Sequence, residues 1–351
     1  MRTLVTAGVR WALWTFLVFF QLDTAVGATD PAVLGPPNLA VIINTADELS
    51  VSIGNYYVRQ RHIPASNVIH VRFEHDSDDM GVEEFSRLRT EIASRVSEQV
   101  QAYALTWARP YRVGCMSITS AFAFGPDDKY CATGCKITRW SAYFNTLTAR
   151  PFADLRLRPT MMIAALDFAQ AKALIDRGVR ADGTAPRGTA YLLSTDDAAR
   201  NVRAAEYSQL SPALKHVIEV RVLKAPALEN RPDVMFYFLG ATDVPALASN
   251  RFLPGAIGDH LTSFGGMLTD SSQMSSLHWL EAGATGSYGT VVEPCNMLGK
   301  FPMIPVLMAH YLSGETLIEA YWKSVAMPGQ GLFIGEPLAA PYRLTAPYRR
   351  P

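Results

Sequence analysis

The chain has 351 residues, of which 49% are apolar and 18% charged, so it can bury a large core and is not a disordered chain. Its 32 lysines and arginines equal its 32 aspartates and glutamates. This balance excludes a strong overall attraction to nucleic acid or to an anionic membrane, while leaving room for local basic patches.

The amino terminus has the pattern of a secretory signal peptide. Arg2 and Arg10 precede an apolar run at 11–20, and small residues follow up to Ala28. An uncleaved anchor is the alternative, but the run is shorter than the roughly 20 apolar residues that a membrane span needs. We therefore expect a signal peptide at 1–28, no membrane span after cleavage, and export to the periplasm, the cell surface or the extracellular space.

The first part of the mature chain alternates strand-like and helix-like patterns. Apolar runs predict strands at 39–43, 67–73 and 111–118. Apolar residues at helical spacing predict one helix that starts after the cap at Asp47 and ends before Pro64, and a long helix at 82–107. This alternation indicates an α/β fold, with a mainly parallel sheet covered by helices on both faces.

A segment at 119–158 interrupts the alternation and is rich in glycine, proline, polar and aromatic residues. It carries Cys131 and Cys135, and the other two cysteines are Cys115 and Cys295. Export favours disulfides, although four cysteines allow three connectivities. Free thiols are the second alternative, and zinc is the third, because the spacing between Cys131 and Cys135 is atypical of zinc sites. We interpret 119–158 as an insertion that carries cysteines.

The alternation resumes after the insertion. Asp196 and Asp197 begin a further helix whose arginines, Arg200 and Arg203, are expected to form a solvated face with local ion pairs. The predicted order in this part of the chain is an apolar run at 161–166, a helix at 168–177, strands at 188–195, 216–222 and 234–239, and helices at 300–311 and 315–324.

The stretch 254–302 is the most suggestive of a functional site. Two apolar strand-like runs end among glycines and hydroxyl groups, and they flank a short helix that carries His278, Trp279 and Leu280. Glycines in such positions suit sharp turns or close approaches of the backbone. The candidate catalytic residues are Asp259, His260, Ser263 and Cys295, because these residue types supply nucleophiles and general bases.

Strand geometry bears on how these groups can combine. In a strand, Asp259 and Ser263 share one face and His260 lies on the other, which opposes a simple Ser–His pair unless the chain bends. His260 is either a general base or a buried histidine that stabilises the loop. Cys295 is either a nucleophile activated by a nearby histidine or a disulfide partner. The remaining histidines lack metal-ligand spacing, so we expect no metal and no cofactor.

A set of motifs lies between Asn44 and Pro337, namely Asn44, Tyr56-Tyr57, 61–64, 254–266, 283–294, 300–302, Gly314 and 319–321. Through these motifs the chain resembles a family of exported bacterial proteins of unassigned activity that accompany exosortase protein-sorting systems. The resemblance covers the chain from Asn44 to Pro337.

A more remote similarity rests on the stretches 283–290, 314–321 and 332–337. In these stretches the chain is similar to gingipain-type cysteine peptidases, which have a caspase-like fold. In those peptidases a His-Gly pair ends one strand and the nucleophilic cysteine ends the next. Here the matching places hold 240–242 and 262–263, with small and hydroxyl residues instead. The resemblance therefore implies a caspase- or gingipain-like single domain at 29–338, followed by a proline-rich tail at 339–351, without the usual catalytic dyad.

These observations predict an exported, peptidase-like but catalytically degenerate protein. It would bind an extended peptide or an exported protein in exosortase-associated envelope biology, and not nucleic acid. The alternative is an active hydrolase with a non-standard site around Asp259, His260, Ser263 and Cys295. A third interpretation is a purely structural envelope protein.

Overall fold

A computed structural model of the chain describes residues 34–132, 134–214 and 217–343. The predicted signal peptide at 1–28 and the end of the predicted tail, 344–351, lie outside the described residues. Within the described ranges, no helix is long and apolar enough to cross a membrane.

The strands of the described residues are β1 (Leu39–Asn44), β2 (Val68–Val71), β3 (Ala102–Leu105), β4 (Arg112–Val113), β5 (Met116–Ser117), β6 (Thr160–Met162), β7 (Thr189–Ser194), β8 (Glu219–Lys224), β9 (Val234–Gly240), β10 (Phe252–Leu261), β11 (Gly286–Thr290) and β12 (Gly331–Gly335). The α-helices are α1 (Glu48–Arg61), α2 (Val82–Arg95), α3 (Ile118–Phe124), α4 (Pro151–Leu155), α5 (Phe168–Ala181), α6 (Tyr207–Leu214), α7 (Leu277–Glu281), α8 (Ile304–Leu312) and α9 (Leu317–Ser324).

Ten of these strands form one mostly parallel sheet in the order β2-β1-β3-β6-β12-β11-β10-β9-β7-β8. The exception to the parallel pairing is the contact between β12 and β11, which is antiparallel, whereas β12 pairs with β6 in the parallel sense. Most of the strands are buried along their whole length, as expected where helices cover a sheet. The predicted α/β class with a mainly parallel sheet is confirmed.

Helices cover both faces of the sheet. Ile257 of β10 pairs with Gly286 of β11, so Gly258 faces the opposite side from both. Gly258 abuts Trp279 of α7, whereas Gly286 abuts Leu317 of α9. Helix α7 therefore covers one face, together with α5 and α1, and α9 covers the other together with α8.

The predicted helix at 82–107 is too long. Helix α2 ends at Arg95, and 102–105 form β3 in the middle of one half of the sheet. The residues of β3 are buried on both faces, so they lack the alternation that marks a half-exposed strand. Val100 and Tyr103 continue the helical spacing by coincidence, and both are core residues.

The predicted strand at 111–118 is also corrected. Strands β4 and β5 form a small separate hairpin, because Gly114 adopts a left-handed conformation with φ of 57° and reverses the chain. The segment between β5 and β6 is the predicted cysteine-bearing insertion, and it contributes α3 and α4. Phe122 and Tyr143 within it are buried against the rest of the core.

The four cysteines form two disulfides, Cys115–Cys131 and Cys135–Cys295, with Cα–Cα separations of 5.7 and 5.2 Å. Both separations suit disulfide geometry. The first closes the start of the insertion, and the second fastens the insertion to the loop after β11. The sulfurs of Cys115 and Cys131 lie close to a carboxylate oxygen of Asp128, but their mutual bond removes the thiolates that a metal would need.

The first residues of the predicted proline-rich tail are packed. Ala339 and Ala340 are buried, and Leu317 donates its backbone N–H to the carbonyl of Ala339 at 2.9 Å. The ordered core thus continues beyond residue 338.

Candidate functional site

A cleft opens where β10 and β11 end, with a volume of about 340 Å³. Loops that follow β7, β10 and β11 form its walls, and the Cys135–Cys295 disulfide lies at its rim. In a parallel sheet, sites form in the loops at the carboxyl ends of strands, and this cleft occupies such a position. Its lining residues include Ala199, Arg200, Leu261, Thr262, Ser263, Glu293, Pro294, Asn296 and Phe301.

Glycines make the base of the cleft compact. The N–H of Gly266 donates to the carbonyl of Thr290 at 2.9 Å, which joins the loop after β10 to the end of β11. A Cβ atom at Gly266 would lie 2.6 Å from the carbonyl oxygen of Gly289. The glycines of the two predicted strand-like runs therefore permit two backbones to touch, as the sequence pattern suggested.

His260 lies beneath the cleft and is 2% exposed. The indole N–H of Trp279 donates to its Nδ1 at 2.9 Å, so the ring proton is assigned to Nε2, which lies 3.1 Å from the carbonyl oxygen of Met274. Burial, reinforced by the charge of Arg203, lowers the pKa of His260 to about 3. With both nitrogens engaged, the imidazole is a neutral structural group.

Asp259 points to the opposite face from His260, as strand alternation predicts. Its Oδ1 accepts from Nη1 of Arg203 at 2.6 Å, and Nη2 of Arg203 donates to the carbonyl of Leu239 at 2.9 Å. Both side chains are buried. Burial lowers the pKa of Arg203, but attraction to Asp259 outweighs it and the pKa is raised. The predicted solvated role of Arg203 is therefore wrong, since it forms a buried ion pair.

Cys295 is bonded to Cys135, and the described residues contain no free cysteine. The interpretation of Cys295 as a nucleophile is corrected accordingly, because a disulfide sulfur has no thiolate to offer. Its backbone N–H donates to Oε1 of Glu293 at 2.6 Å, which fixes the loop at the rim of the cleft.

Of the four predicted site residues, Ser263 is the one that lines the cleft and carries a potential nucleophile. It is half-buried, and its carbonyl accepts from Thr290 Oγ1 at 2.8 Å. Within the described part of the chain its hydroxyl has no hydrogen-bond partner, so neither His260 nor Asp259 activates it. The four predicted residues are thus neighbours in the fold but do not form a common catalytic arrangement.

Two basic residues near the cleft were not predicted as site residues. Arg200 lines it and donates to Asp197 at 3.0 Å and to Thr262 Oγ1 at 3.3 Å. Lys300 is buried, and its amine has no hydrogen-bond partner among the described residues. Burial lowers the pKa of Lys300, while nearby Glu293 acts to raise it. The sequence signal for Lys300 was its place in the Lys-Phe-Pro motif at 300–302.

Comparisons with known proteins give a structural similarity but no family. No protein-family model and no curated protein matches the chain. A solved structure of a protease is similar over 90% of this chain and 82% of its own, with a TM-score of 0.48 and 10% sequence identity. The class that the described residues themselves define is an α/β protein with a mostly parallel ten-stranded sheet and a cleft at the ends of its central strands.

Proposed function

We propose that the protein is an exported, peptidase-like binding protein without a catalytic dyad, and that it holds an extended segment of a peptide or exported protein in the cleft. The observation that carries this proposal is the state of His260. A general base needs a free nitrogen within hydrogen-bond reach of its proton donor. Both nitrogens of His260 are instead engaged by Trp279 and Met274.

The lining of the cleft suits a peptide. Leu261, Pro294 and Phe301 form an apolar wall although each is largely buried, while Arg200 and Asn296 provide hydrogen-bond donors at the same rim. A cleft of about 340 Å³ falls at the small end of the range for ligand sites, which fits one or two side chains of a longer segment. Mixed apolar and polar lining of this kind recognises side chains through burial and orients them through a few polar contacts.

Selection from a phage-displayed peptide library tests the proposal. We expect the purified protein to enrich peptides that lose binding when the cleft is filled by Ser263→Trp. The matched control, Ser94→Trp, adds the same side chain to an exposed position of α2 and retains binding. Equal affinity of the selected peptides for Ser263→Trp and the wild type would place their site elsewhere and contradict the proposal.

An active hydrolase is a second candidate function, and the observation that favours it is the position of Ser263 in the lining of the cleft. A fluorophosphonate probe tests this directly, because it reacts with activated serines. We expect no labelling of Ser263 when the labelled protein is mapped by mass spectrometry. Labelling at Ser263 that is absent in Ser263→Ala would establish a reactive serine and overturn the degenerate assignment.

We further propose that the protein acts in the cell envelope alongside an exosortase system. Support comes from the signal-peptide pattern, from the resemblance to exported proteins that accompany these systems, and from two disulfides, which form in oxidising compartments. Fractionation of cells expressing the tagged chain should place it in the periplasm or at the surface. Recovery of the reduced, uncleaved chain in the cytosol would contradict this assignment.

A further inference from the structure

The insertion presents the most exposed large apolar side chains of the described residues. Leu147, Ile137 and Trp140 are 88%, 75% and 60% exposed, and all three fall within 136–147. Scattered single apolar residues on a surface need no explanation, but several of the largest in one short segment mark an interaction surface. We call residues 136–147 the apolar loop.

The apolar loop is held in place at several points, so the exposure of these side chains belongs to a fixed conformation of the loop. Its base is fixed by the Cys135–Cys295 disulfide. The backbone N–H of Ser141 donates to the carbonyl of Ala326 and that of Asn145 to the carbonyl of Lys323, each at 2.8 Å. Tyr143 is buried between them. The loop therefore has an inner side that packs and an outer side that carries exposed apolar groups.

The surroundings of the apolar loop are basic, in contrast to the balanced chain as a whole. Lys129, Lys136, Arg139 and Arg150 are exposed, and no aspartate or glutamate occurs between 129 and 153, although Asp127 and Asp128 directly precede this window. The first acidic residue after this window is Asp154, which lies 3.8 Å from Arg150. This is a local basic patch of the kind that overall neutrality leaves room for.

From this combination we infer that the apolar loop docks the protein onto the surface of an anionic lipid bilayer. Ile137, Trp140 and Leu147 insert at the boundary between headgroups and acyl chains, where tryptophan is favoured and each apolar side chain leaves water. Lys136 and Arg139 meet anionic headgroups, because the negative potential of a charged bilayer surface attracts basic side chains. No helix has to span the membrane for this attachment.

Lipid accounts for the loop better than a protein partner with an acidic surface. A protein interface would be expected to include an apolar core with complementary pockets, whereas these side chains project from an irregular loop and are separated by charged and polar residues. Alternation of aromatic, aliphatic and basic groups is typical of segments that lie in the membrane interface. Because Cys295 borders the cleft, docking through the apolar loop would hold the cleft close to the bilayer surface.

Sedimentation with lipid vesicles tests the inference on the disulfide-bonded mature protein. We expect binding to vesicles of phosphatidylcholine and phosphatidylglycerol, weaker binding to phosphatidylcholine alone, and weakening by salt. The triple variant Ile137→Ser, Trp140→Ser, Leu147→Ser should lose about tenfold or more in vesicle affinity, since each side chain contributes burial energy. The variant Lys136→Gln, Arg139→Gln should lose the preference for phosphatidylglycerol.

The matched control replaces exposed apolar residues outside the loop, Val82, Leu166 and Phe168, by serine and should bind vesicles like the wild type. Circular dichroism establishes that each variant is folded. If the folded wild type fails to bind phosphatidylglycerol vesicles at low salt, or if the apolar-loop triple variant binds as well as the wild type, the inference is wrong. Peptide binding in the cleft is measured without vesicles, so its outcome is independent of this one.

Discussion

At the scale of single residues, the imidazole of His260 makes folding sensitive to acid. Its pKa is lowered from 6.5 to about 3 in the folded protein, so the unfolded chain binds a proton that the folded protein does not. The stability that the neutral imidazole of His260 contributes to the folded protein is therefore complete above pH 6.5 and is lost as the pH falls towards about 3. Below pH 6.5 this one group therefore lowers the free energy of unfolding by about 1.4 kcal/mol per pH unit.

We expect the pH dependence of the free energy of unfolding to be smaller in His260→Gln. Between pH 7.5 and 5.5 the wild type should lose about 1.4 kcal/mol more than this variant. Urea denaturation at the two pH values measures the difference. His70→Gln, at an exposed position of β2, is the matched control and should retain the dependence of the wild type. An identical loss in His260→Gln and the wild type would show that His260 is protonated in the folded state.

The Arg203–Asp259 pair is a second residue-scale feature with a measurable energy. Asp259→Ala would leave the buried guanidinium without its carboxylate, which costs about 3–5 kcal/mol in other proteins. The double variant Arg203→Met, Asp259→Ala removes both charges and should be more stable than Asp259→Ala. Equilibrium unfolding of the three proteins checks this order. A double variant that is the least stable of the three would mean that the pair itself, and not the orphaned charge, dominates.

At the scale of elements, the glycines of the loop after β10 and of β11 allow two backbones to touch. Gly266→Ala would place a methyl group 2.6 Å from the carbonyl oxygen of Gly289, so one of the two segments has to move. We expect destabilisation of about 1–3 kcal/mol by overpacking. Gly81→Ala, at a position with no atom within 4 Å of the added methyl group, should change stability by well under this amount. Thermal unfolding of both variants compares them, and equal melting temperatures would contradict the close-packing argument.

The two disulfides are expected to differ in their effect on stability. Cys135–Cys295 joins residues 160 apart in sequence and Cys115–Cys131 residues 16 apart. Loop-closure entropy gives about 5 kcal/mol for the longer loop and about 3 kcal/mol for the shorter one. The paired variant Cys135→Ala, Cys295→Ala should therefore unfold at lower urea concentration than Cys115→Ala, Cys131→Ala. The reverse order would show that strain or residual structure outweighs chain entropy.

Several elements could be predicted because their local pattern is strong. The strand at 234–239 and the helix at 168–177 have clear apolar patterns, and the structure has β9 and α5 there. Strand β3 could not be recognised, since its four residues form a very short apolar run that continues the spacing of the preceding helix. Alternation along β10 correctly separated Asp259 from His260. Their partners, Arg203 and Trp279, lie 56 and 19 residues away, and no local pattern specifies such contacts.

At the scale of the whole molecule, motifs that carried the resemblance turn out to hold the structure together. Arg61 at the end of α1 donates from Nε to Oε1 of Glu336, just beyond β12, at 2.9 Å and across 275 residues of sequence. It also pairs with Asp182 after α5. Glu319 forms a capping box with Thr316 at the start of α9. The sequence shows that these residues belong to motifs, but only the fold shows that they stabilise the structure.

The position of β12 bears on when the protein can fold. It lies between β6 and β11, in the middle of the sheet, although 331–335 come last among the strands in chain order. The sheet has two halves, one formed from residues 39–162 and the other from 189–290. Strand β12 joins them, so the two halves stay unconnected until residues 331–335 have been synthesised. A nascent chain that lacks 331–335 is consequently unable to close its sheet. If the chain is exported as proposed above, such a delay would keep the polypeptide unfolded during translocation across a membrane and would leave interrupted products open to degradation.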